Sequence, residues 1–271
     1  MSAVREMAGA RAVPELELVG VEKIFETKRA TTHALTAIDL TIEREEFIAI
    51  IGQSGCGKTT LLRILAGLVK PSEGAVRAEG RSLWDGAVLD TETVNKLGIV
   101  FQDPNLFPWY SVEDNIALPL KLRGVDRNAR RARAHELCEL VGLSGFERAY
   151  PRELSGGMRQ RTAIARALSY RPAVLLLDEP FGALDAMTRE RMNLELQSIA
   201  AATRATVVLV THSINEAVFL ADRIVLLSPR PGRVRSITEV PFPRPRELEL
   251  ETQPGFQDIV RELRHQLDED A

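Results

Sequence analysis

The sequence contains the stretch Gly52-Gln53-Ser54-Gly55-Cys56-Gly57-Lys58-Thr59, which Thr60 follows. The apolar residues 47–51 before it predict a strand, and residues 61–66 after it predict a helix. Glycines let a backbone curl so that successive N–H groups point at an anion, and the following helix adds its positive end. The stretch therefore predicts a nucleotide-phosphate site, in which Lys58 reaches the β- and γ-phosphates and the Thr59 hydroxyl binds Mg²⁺. The alternative is a glycine-rich turn that ends in Lys-Thr by chance.

The composition is that of an ordinary globular chain. Its 271 residues are 45% apolar and 27% charged. This length fits one large domain or two small ones. The formal net charge of -3 argues against broad attraction to nucleic acid or anionic lipid, although it leaves local basic patches open. We therefore expect no nucleic-acid partner.

The cysteines, the N-terminus and the hydropathy bear on location. Cys56 lies in the glycine loop and Cys138 in a predicted helix, so neither indicates a disulfide framework and a reducing cytoplasm is favoured. Residues 1–13 are expected to be a loose leader and lack the apolar stretch of a signal peptide. No apolar run approaches the roughly 18 residues that cross a bilayer. Any link to a membrane is thus expected to go through a partner.

A continuous apolar run at residues 174–177 ends in the two acids Asp178 and Glu179. Such a run predicts a central parallel strand covered on both faces. Ligands of these sheets bind at the carboxyl ends of the strands. Asp178 is therefore expected to hold Mg²⁺ beside the phosphate loop, and Glu179 to polarise the attacking water as a general base. Two exposed acids at a helix start are the alternative.

A second predicted anion site follows Leu154, where Ser155-Gly156-Gly157 begins a strongly helical run. A hydroxyl, exposed N–H groups and a helix N-terminus favour a negatively charged ligand there. An ordinary N-cap with flexible glycines is the alternative. Two phosphate cradles in one chain are unexpected, unless two chains share each nucleotide.

Three isolated residues are weaker candidates. The ring of Phe25 has the character to stack on an adenine, but a lone phenylalanine is more often part of the core. The Gln102 amide follows a short predicted strand and suits a contact to Mg²⁺ or the attacking water, whereas most loop glutamines are merely solvated. His212, at another strand end, suits donation to a γ-phosphate, whereas a lone histidine is usually structural.

The order of these motifs resembles the nucleotide-binding subunits of ATP-binding-cassette (ABC) transporters over about residues 15 to 240. The resemblance equates residues 52–59 with the Walker A loop, residues 154–160 with the family-specific signature motif, and residues 174–179 with Walker B and the catalytic glutamate. It places Gln102 in the Q-loop, Asp185 in the D-loop, His212 at the switch histidine and Phe25 at the aromatic A-loop position. It implies ATP and Mg²⁺ as ligands, with the metal held by Thr59, Gln102 and Asp178.

The fold that this resemblance implies is an α/β P-loop NTPase cassette with a RecA-like core, an antiparallel β-subdomain and an inserted helical subdomain at about residues 104–170. We expect the ATPase domain to span residues 14–240. Residues 241–271 are expected to form a short C-terminal tail with a last helix over residues 257–267, too short for a second domain with its own core.

Within the family, residues 107–112 and 227–232 resemble the nitrate, sulfonate and taurine group of bacterial importers. This resemblance implies a head-to-tail dimer bound to two membrane permease subunits on the cytoplasmic side of the inner membrane, with an external solute-binding protein delivering the substrate. Phe107 and Trp109 are candidate permease contacts, with plain core packing as the alternative. The solute is not encoded here, because its pocket lies in other chains.

Other classes of ATPase fit less well. A DNA-repair or chromosome ATPase needs a long coiled coil between phosphate loop and signature, and the interval here is short and lacks heptads. A translation-associated protein usually carries two cassettes, and a small-molecule kinase lacks the Leu-Ser-Gly-Gly motif. An exporter ATPase remains an alternative function, because the direction of transport rests on analogy.

One residue departs from the family pattern. Glu45 stands where a glycine usually precedes the phosphate-loop strand. If that turn needs a positive φ, Glu45 is mildly strained, and otherwise the turn has changed type.

Overall fold

A computed structural model describes residues 13–27 and 30–269. The expected leader, residues 1–13, lies outside the described residues except for Val13. The strands are β1 Leu16–Glu26, β2 Thr31–Ile42, β3 Phe47–Gly52, β4 Glu73–Ala78, β5 Arg81–Ser82, β6 Trp84–Asp85, β7 Val88–Leu89, β8 Leu97–Val100, β9 Val174–Asp178, β10 Thr206–Val210, β11 Arg223–Leu227 and β12 Val234–Glu239. The α-helices are α1 Lys58–Leu65, α2 Thr91–Val94, α3 Val112–Leu122, α4 Arg127–Leu140, α5 Gly156–Leu168, α6 Ala186–Thr203, α7 Ile214–Leu220 and α8 Pro254–Asp268, and Pro151–Glu153 and Leu248–Thr252 are 3₁₀ turns.

The central sheet has the strand order β12-β11-β3-β10-β9-β8. All neighbours are parallel except β11 and β12. Strands β3, β9 and β10 are buried along their whole length, as their continuous apolar sequences predict. Because parallel strands end at the same edge, the segments that follow β3, β9 and β10 meet there.

A separate antiparallel sheet has the order β2-β1-β4-β5. Its inward residues, Leu16, Leu18, Val21, Leu35 and Ile38, share one apolar cluster with α1 and with one face of the central sheet. The predicted α/β cassette fold with an antiparallel β-subdomain is thereby confirmed.

The segment between β8 and β9 is helical, as predicted. Helices α3, α4 and α5 pack together through a cluster that includes Ile116, Leu137, Cys138 and Ile164. Each helix begins at a side-chain cap, from Ser111, Asp126 and Ser155. Cys56 and Cys138 are both buried free thiols.

The C-terminal helix α8 is part of the core. Phe256, Val260 and Leu263 follow a helical period and are buried in the cluster that also holds α7. The helix spans more than the predicted residues 257–267. Its end reaches the phosphate loop, where Gln53 Nε2 donates to the Leu267 carbonyl over 3.0 Å.

The turn before β3 has the strained geometry expected of a glycine position. Glu45 has φ 60°, in the left-handed region. Its N–H donates to Thr206 Oγ1 over 2.9 Å, and its carboxylate pairs with Arg204 at 2.6 Å. Of the two predicted alternatives, the structure thus shows the positive φ, and these contacts offset the strain.

Among the described helices, none combines the length and the apolar character needed to span a bilayer.

Candidate functional site

The phosphate loop leaves β3 at Gly52 and enters α1 at Lys58. Gly57, the N-cap of α1, has φ 109° and offers no side chain to the first turn, so that the first helical N–H groups lack a side-chain cap. A Cβ at Gly57 would lie 2.9 Å from the Ala34 carbonyl oxygen, so only glycine fits. This loop has the conformation that presents backbone N–H groups to an anion.

A cavity of about 360 Å³ opens over this loop. Loop residues from Ser54 to Thr60 line one side, and Glu179, His212 and Arg230 line the rest. Cys56 is the loop residue that turns away from it, and its thiol is buried. The cavity joins a cradle of N–H groups to two side chains with acid–base chemistry.

Lys58 is 7% exposed and is held by the loop itself. Its Nζ donates to the carbonyls of Gly52 over 2.7 Å and Gln53 over 3.0 Å. These bonds fix the ammonium group at the wall of the cavity. The remaining N–H of the ammonium group could donate a hydrogen bond to a phosphate oxygen in the cavity.

Asp178 and Thr59 form the polar floor of the site. Thr59 Oγ1 donates to Asp178 Oδ1 over 3.1 Å. Asp178 is 7% exposed, and desolvation raises the pKa of its carboxyl, with the Thr59 hydrogen bond acting in the opposite direction. A nearly buried carboxylate beside a hydroxyl is a hard-oxygen pair that suits Mg²⁺.

These oxygens do not form a complete metal cage. Among the described residues, no cluster of three His, Cys, Asp or Glu side chains is arranged to hold an ion. Mg²⁺ keeps several waters and commonly binds through one or two carboxylates together with substrate phosphates. The donor set therefore fits a Mg²⁺ ion that arrives with a nucleotide.

Glu179 and His212 face each other at the ends of β9 and β10. Glu179 Oε2 and His212 Nδ1 are hydrogen-bonded at 2.9 Å. Glu179 has φ 44°, and its N–H donates to the Val210 carbonyl over 2.9 Å. The backbone bond ties the residue after β9 to β10, which places the carboxylate at the cavity.

Gln102, Asp185 and Phe25 do not line the cavity. The Gln102 amide and the Glu179 carboxylate both lie beside Gly182, 3.6 and 3.5 Å from where its Cβ would be. Asp185 caps α6 by accepting from the Thr188 N–H over 3.0 Å, which is the main cause of its lowered pKa. The Phe25 ring is 41% exposed at the end of β1, with Lys23 Nζ 5.0 Å from its centroid.

Ser155, Gly156 and Gly157 also lie outside the cavity. The exposed Ser155 caps α5, and its Oγ accepts from the Met158 N–H over 3.3 Å. Cβ atoms at Gly156 and Gly157 would each lie 3.2 Å from a neighbouring side chain, Leu184 and Thr188 respectively. The two predicted anion sites therefore do not share a pocket within this chain.

Comparison with known proteins agrees with this geometry. Residues 35–182 match the protein family described as ABC transporter. This chain belongs to the ABC transporter family. It has the fold of the family's ATP-binding cassette and is an ATPase of that class.

The similar proteins include two import subunits and a solved cassette dimer. The aliphatic sulfonates import ATP-binding protein SsuB of Bacillus licheniformis is 46% identical, and the match covers 89% of this chain and 90% of SsuB. The taurine import ATP-binding protein TauB of Rhizobium johnstonii is 45% identical, over 86% of this chain and 88% of TauB. A dimeric post-hydrolysis structure of the ATP-binding cassette MJ0796 with ADP and Pi bound has a TM-score of 0.73 and 35% identity, covering 83% of this chain and 98% of that one.

One cavity residue of this ABC cassette is missing from the sequence-based candidates. Arg230 belongs to residues 227–232, whose sequence indicates a group of importers but assigns no site role to the arginine. It reaches the phosphate loop because β11 pairs in parallel with β3, with Leu227 opposite Gly52. A basic residue just after a buried strand was the available signal, and the turn-forming prolines on either side masked it.

Proposed function

We propose that this chain is the ATP-hydrolysing subunit that powers uptake of a small solute through a separate membrane permease. One observation carries the proposal: Lys58, Thr59, Glu179 and His212 line one cavity, with Asp178 bonded to Thr59 beneath it. A cradle for phosphates, a metal-binding oxygen pair and a carboxylate base are the parts that phosphoryl transfer to water requires.

Within the site, each group of the chain has a separate proposed role. The loop N–H groups and Lys58 bind the phosphates of ATP and offset their charge. Thr59 and Asp178 would hold Mg²⁺, which supplies further charge neutralisation, and Gln102, whose amide lies beside Gly182 near the Glu179 carboxylate, is the third proposed ligand. Glu179 accepts the proton of the attacking water, and His212, bonded to Glu179 at 2.9 Å, orients that carboxylate.

The remaining site residues act around the nucleotide. Phe25 stacks on the adenine, since its ring is accessible at the end of β1. Ser155, Gly156 and Gly157 bind the γ-phosphate of the nucleotide held by a second copy, in a head-to-tail dimer, with Asp185 at that interface. The separation of the two predicted anion sites within one chain supports this arrangement, and the cassette MJ0796 is itself a dimer.

The membrane partner is proposed to dock on the aromatic cluster Phe107, Trp109 and Tyr110. Neighbouring ring centroids in the cluster are 5.7 to 6.4 Å apart. Trp109 is nevertheless 67% exposed. An exposed aromatic group just after the Gln102 segment is a suitable anchor for a partner chain. The relatives named for sulfonate and taurine import support uptake of nitrate, a sulfonate, taurine or a similar solute, delivered by an external binding protein.

The chain is proposed to bind its permease at the cytoplasmic face of the membrane. Affinity capture tests this association. The tagged chain should retrieve a polytopic permease from detergent-solubilised membranes of its own cell. Trp109→Ala should reduce that retrieval, while Val88→Ala, an exposed apolar residue of the β6–β7 hairpin, should not. Recovery of ribosomes or DNA instead of a permease would contradict the proposal.

A further inference from the structure

Arg230 is a cation of the phosphate cavity without an assigned role. It lines the cavity together with Lys58 and the loop glycines. Its Nε donates to the Gly55 carbonyl over 3.2 Å. Its terminal nitrogen Nη2 lies 3.6 Å from where a Cβ of Gly55 would be. The guanidinium therefore lies directly against the glycine loop.

The turn that carries Arg230 is fixed on the phosphate loop. Its ends are closed by a bond from the Ser228 N–H to the Arg233 carbonyl over 3.0 Å and by one from the Arg233 N–H to Ser228 Oγ over 3.1 Å. A Cβ at Gly232 would lie 2.2 Å from the Cys56 carbonyl oxygen, so glycine permits the close approach. The Gly232 N–H also donates to the Ala34 carbonyl over 3.0 Å. Arg230 is thus held at the cavity by its backbone, not by a flexible loop.

No acidic side chain in the described part of the chain forms an ion pair with Arg230. Within residues 13–27 and 30–269, its only hydrogen bond is the one from Nε. Lys58, by contrast, spends two donors on loop carbonyls. Two terminal nitrogens with free donors, in a planar fork at an anion cradle, match the geometry of phosphate oxygens.

We propose that Arg230 binds the phosphates of the nucleotide held by its own chain, as a second cation beside Lys58. This inference rests on the proposed ATP site and adds a binding residue to it. Nε keeps its bond to Gly55, while the terminal nitrogens donate to the ligand.

A glutamine separates this role from a structural one. The Gln side-chain amide nitrogen occupies the same position along the side chain as Arg Nε, so Arg230→Gln preserves a donor for Gly55 while removing the charge and the terminal nitrogens. Arg230→Ala removes both. Arg233→Gln is the matched control, because Arg233 is exposed in the same turn and does not line the cavity.

The experiment measures the affinity of each purified variant for ATP by calorimetry at two salt concentrations, with the unfolding temperature of the nucleotide-free proteins as a folding check. We expect Arg230→Gln to bind ATP about tenfold more weakly than the wild type, the order of one charge-assisted hydrogen bond, and Arg230→Ala to be at least as weak. The affinity of Arg230→Gln should also depend less steeply on salt, because one cation has been lost. Arg233→Gln should match the wild type.

Two results would overturn the inference. If Arg230→Gln binds ATP like the wild type while Arg230→Ala is weak, Arg230 only supports the loop. If both bind normally while Lys58→Ala does not, Arg230 has no part in a functioning site. A wild-type chain that fails to bind ATP would instead overturn the proposed function on which the inference rests.

Discussion

The carboxylate of Glu179 and the imidazole of His212 are hydrogen-bonded at 2.9 Å across the ends of two parallel strands. The strand register creates this pair, because Asp178 lies opposite Val210 and each side chain follows closely after its strand. Glu179 is the less exposed of the two, with 22% of its side chain accessible against 56% for His212. The carboxylate is thus sheltered but accessible from the cavity, as a base that activates water must be.

Replacement of Glu179 by glutamine should abolish hydrolysis and spare binding. Without the carboxylate, the rate of phosphate release should fall by about 10²- to 10⁴-fold, the range typical of a lost general base. ATP affinity by calorimetry should stay within about twofold of the wild type, because the loop and Lys58 are intact. Glu139→Gln, at an exposed position of α4, is the control. Wild-type turnover in Glu179→Gln would exclude it as the base.

Replacement of Lys58 by alanine should weaken nucleotide binding itself. The ammonium is one of the charged donors of the cavity, and hydrogen bonds to charged groups contribute about 1.5–3 kcal/mol. We expect at least about a tenfold loss of ATP affinity in a titration. Lys70→Ala removes an exposed lysine outside the cavity and should leave affinity unchanged. Equal affinities for the two variants would place the nucleotide elsewhere.

Asp178→Asn should stabilise the nucleotide-free protein and weaken its binding of Mg²⁺. Because the pKa of Asp178 is raised in the folded state, above the ordinary value of 3.8, the folded state binds its proton more tightly than the unfolded state does. The wild type therefore loses stability as the pH rises from 3.8 through the raised folded pKa, and the loss is complete above it.

Urea unfolding of the wild type and Asp178→Asn across this pH range checks the sign. The advantage of the variant should grow as the pH rises and then stay constant. Asp185→Asn is the contrasting control, because the Asp185 pKa is lowered and its contribution favours the folded state above 3.8. A stability advantage that appears only as the pH falls would contradict the account of Asp178.

Gly57→Ala should damage the phosphate loop far more than an alanine at another left-handed glycine. The new Cβ would lie 2.7 Å from a Leu35 methyl and 2.9 Å from the Ala34 carbonyl oxygen. Gly124 has φ 75° but open space around it, so Gly124→Ala should cost only the backbone strain of about 1–2 kcal/mol. Urea unfolding should show a larger loss for Gly57→Ala, together with weakened ATP binding. Equal losses would mean that the loop tolerates a side chain there.

The parts of the fold that follow from local pattern were predictable from the sequence. The glycine spacing of the loop and the apolar runs before Gly52 and Asp178 are patterns within a few consecutive residues. They therefore predicted the phosphate loop and the central strands. For Glu45 the sequence left two alternatives, a strained positive φ or a changed turn, and the structure shows the positive φ. The match to the ABC transporter family confirms the class of protein that the order of the motifs predicted.

Contacts between distant segments were not predictable in the same way. Arg230 reaches the cavity through the pairing of β11 with β3, and Gln53 reaches the end of α8 through the packing of the last helix. Neither partnership leaves a periodic signal in the sequence. The predicted last helix did carry one, since Phe256, Val260 and Leu263 share a face, but its connection to the phosphate loop depends on the tertiary fold.

The central claim is that two chains share each nucleotide. The most direct test is to measure the molecular mass of the Glu179→Gln variant by sedimentation with saturating ATP and Mg²⁺. A dimer should form that requires ATP, because the γ-phosphate joins one phosphate loop to the exposed Ser155 of the other copy. Adding Ser155→Arg should leave monomers that still bind ATP, whereas Ser198→Arg, on an exposed position of α6, should still dimerise. A chain that stays monomeric with Mg-ATP bound, even with its permease, while the wild type hydrolyses ATP at full rate would contradict the account.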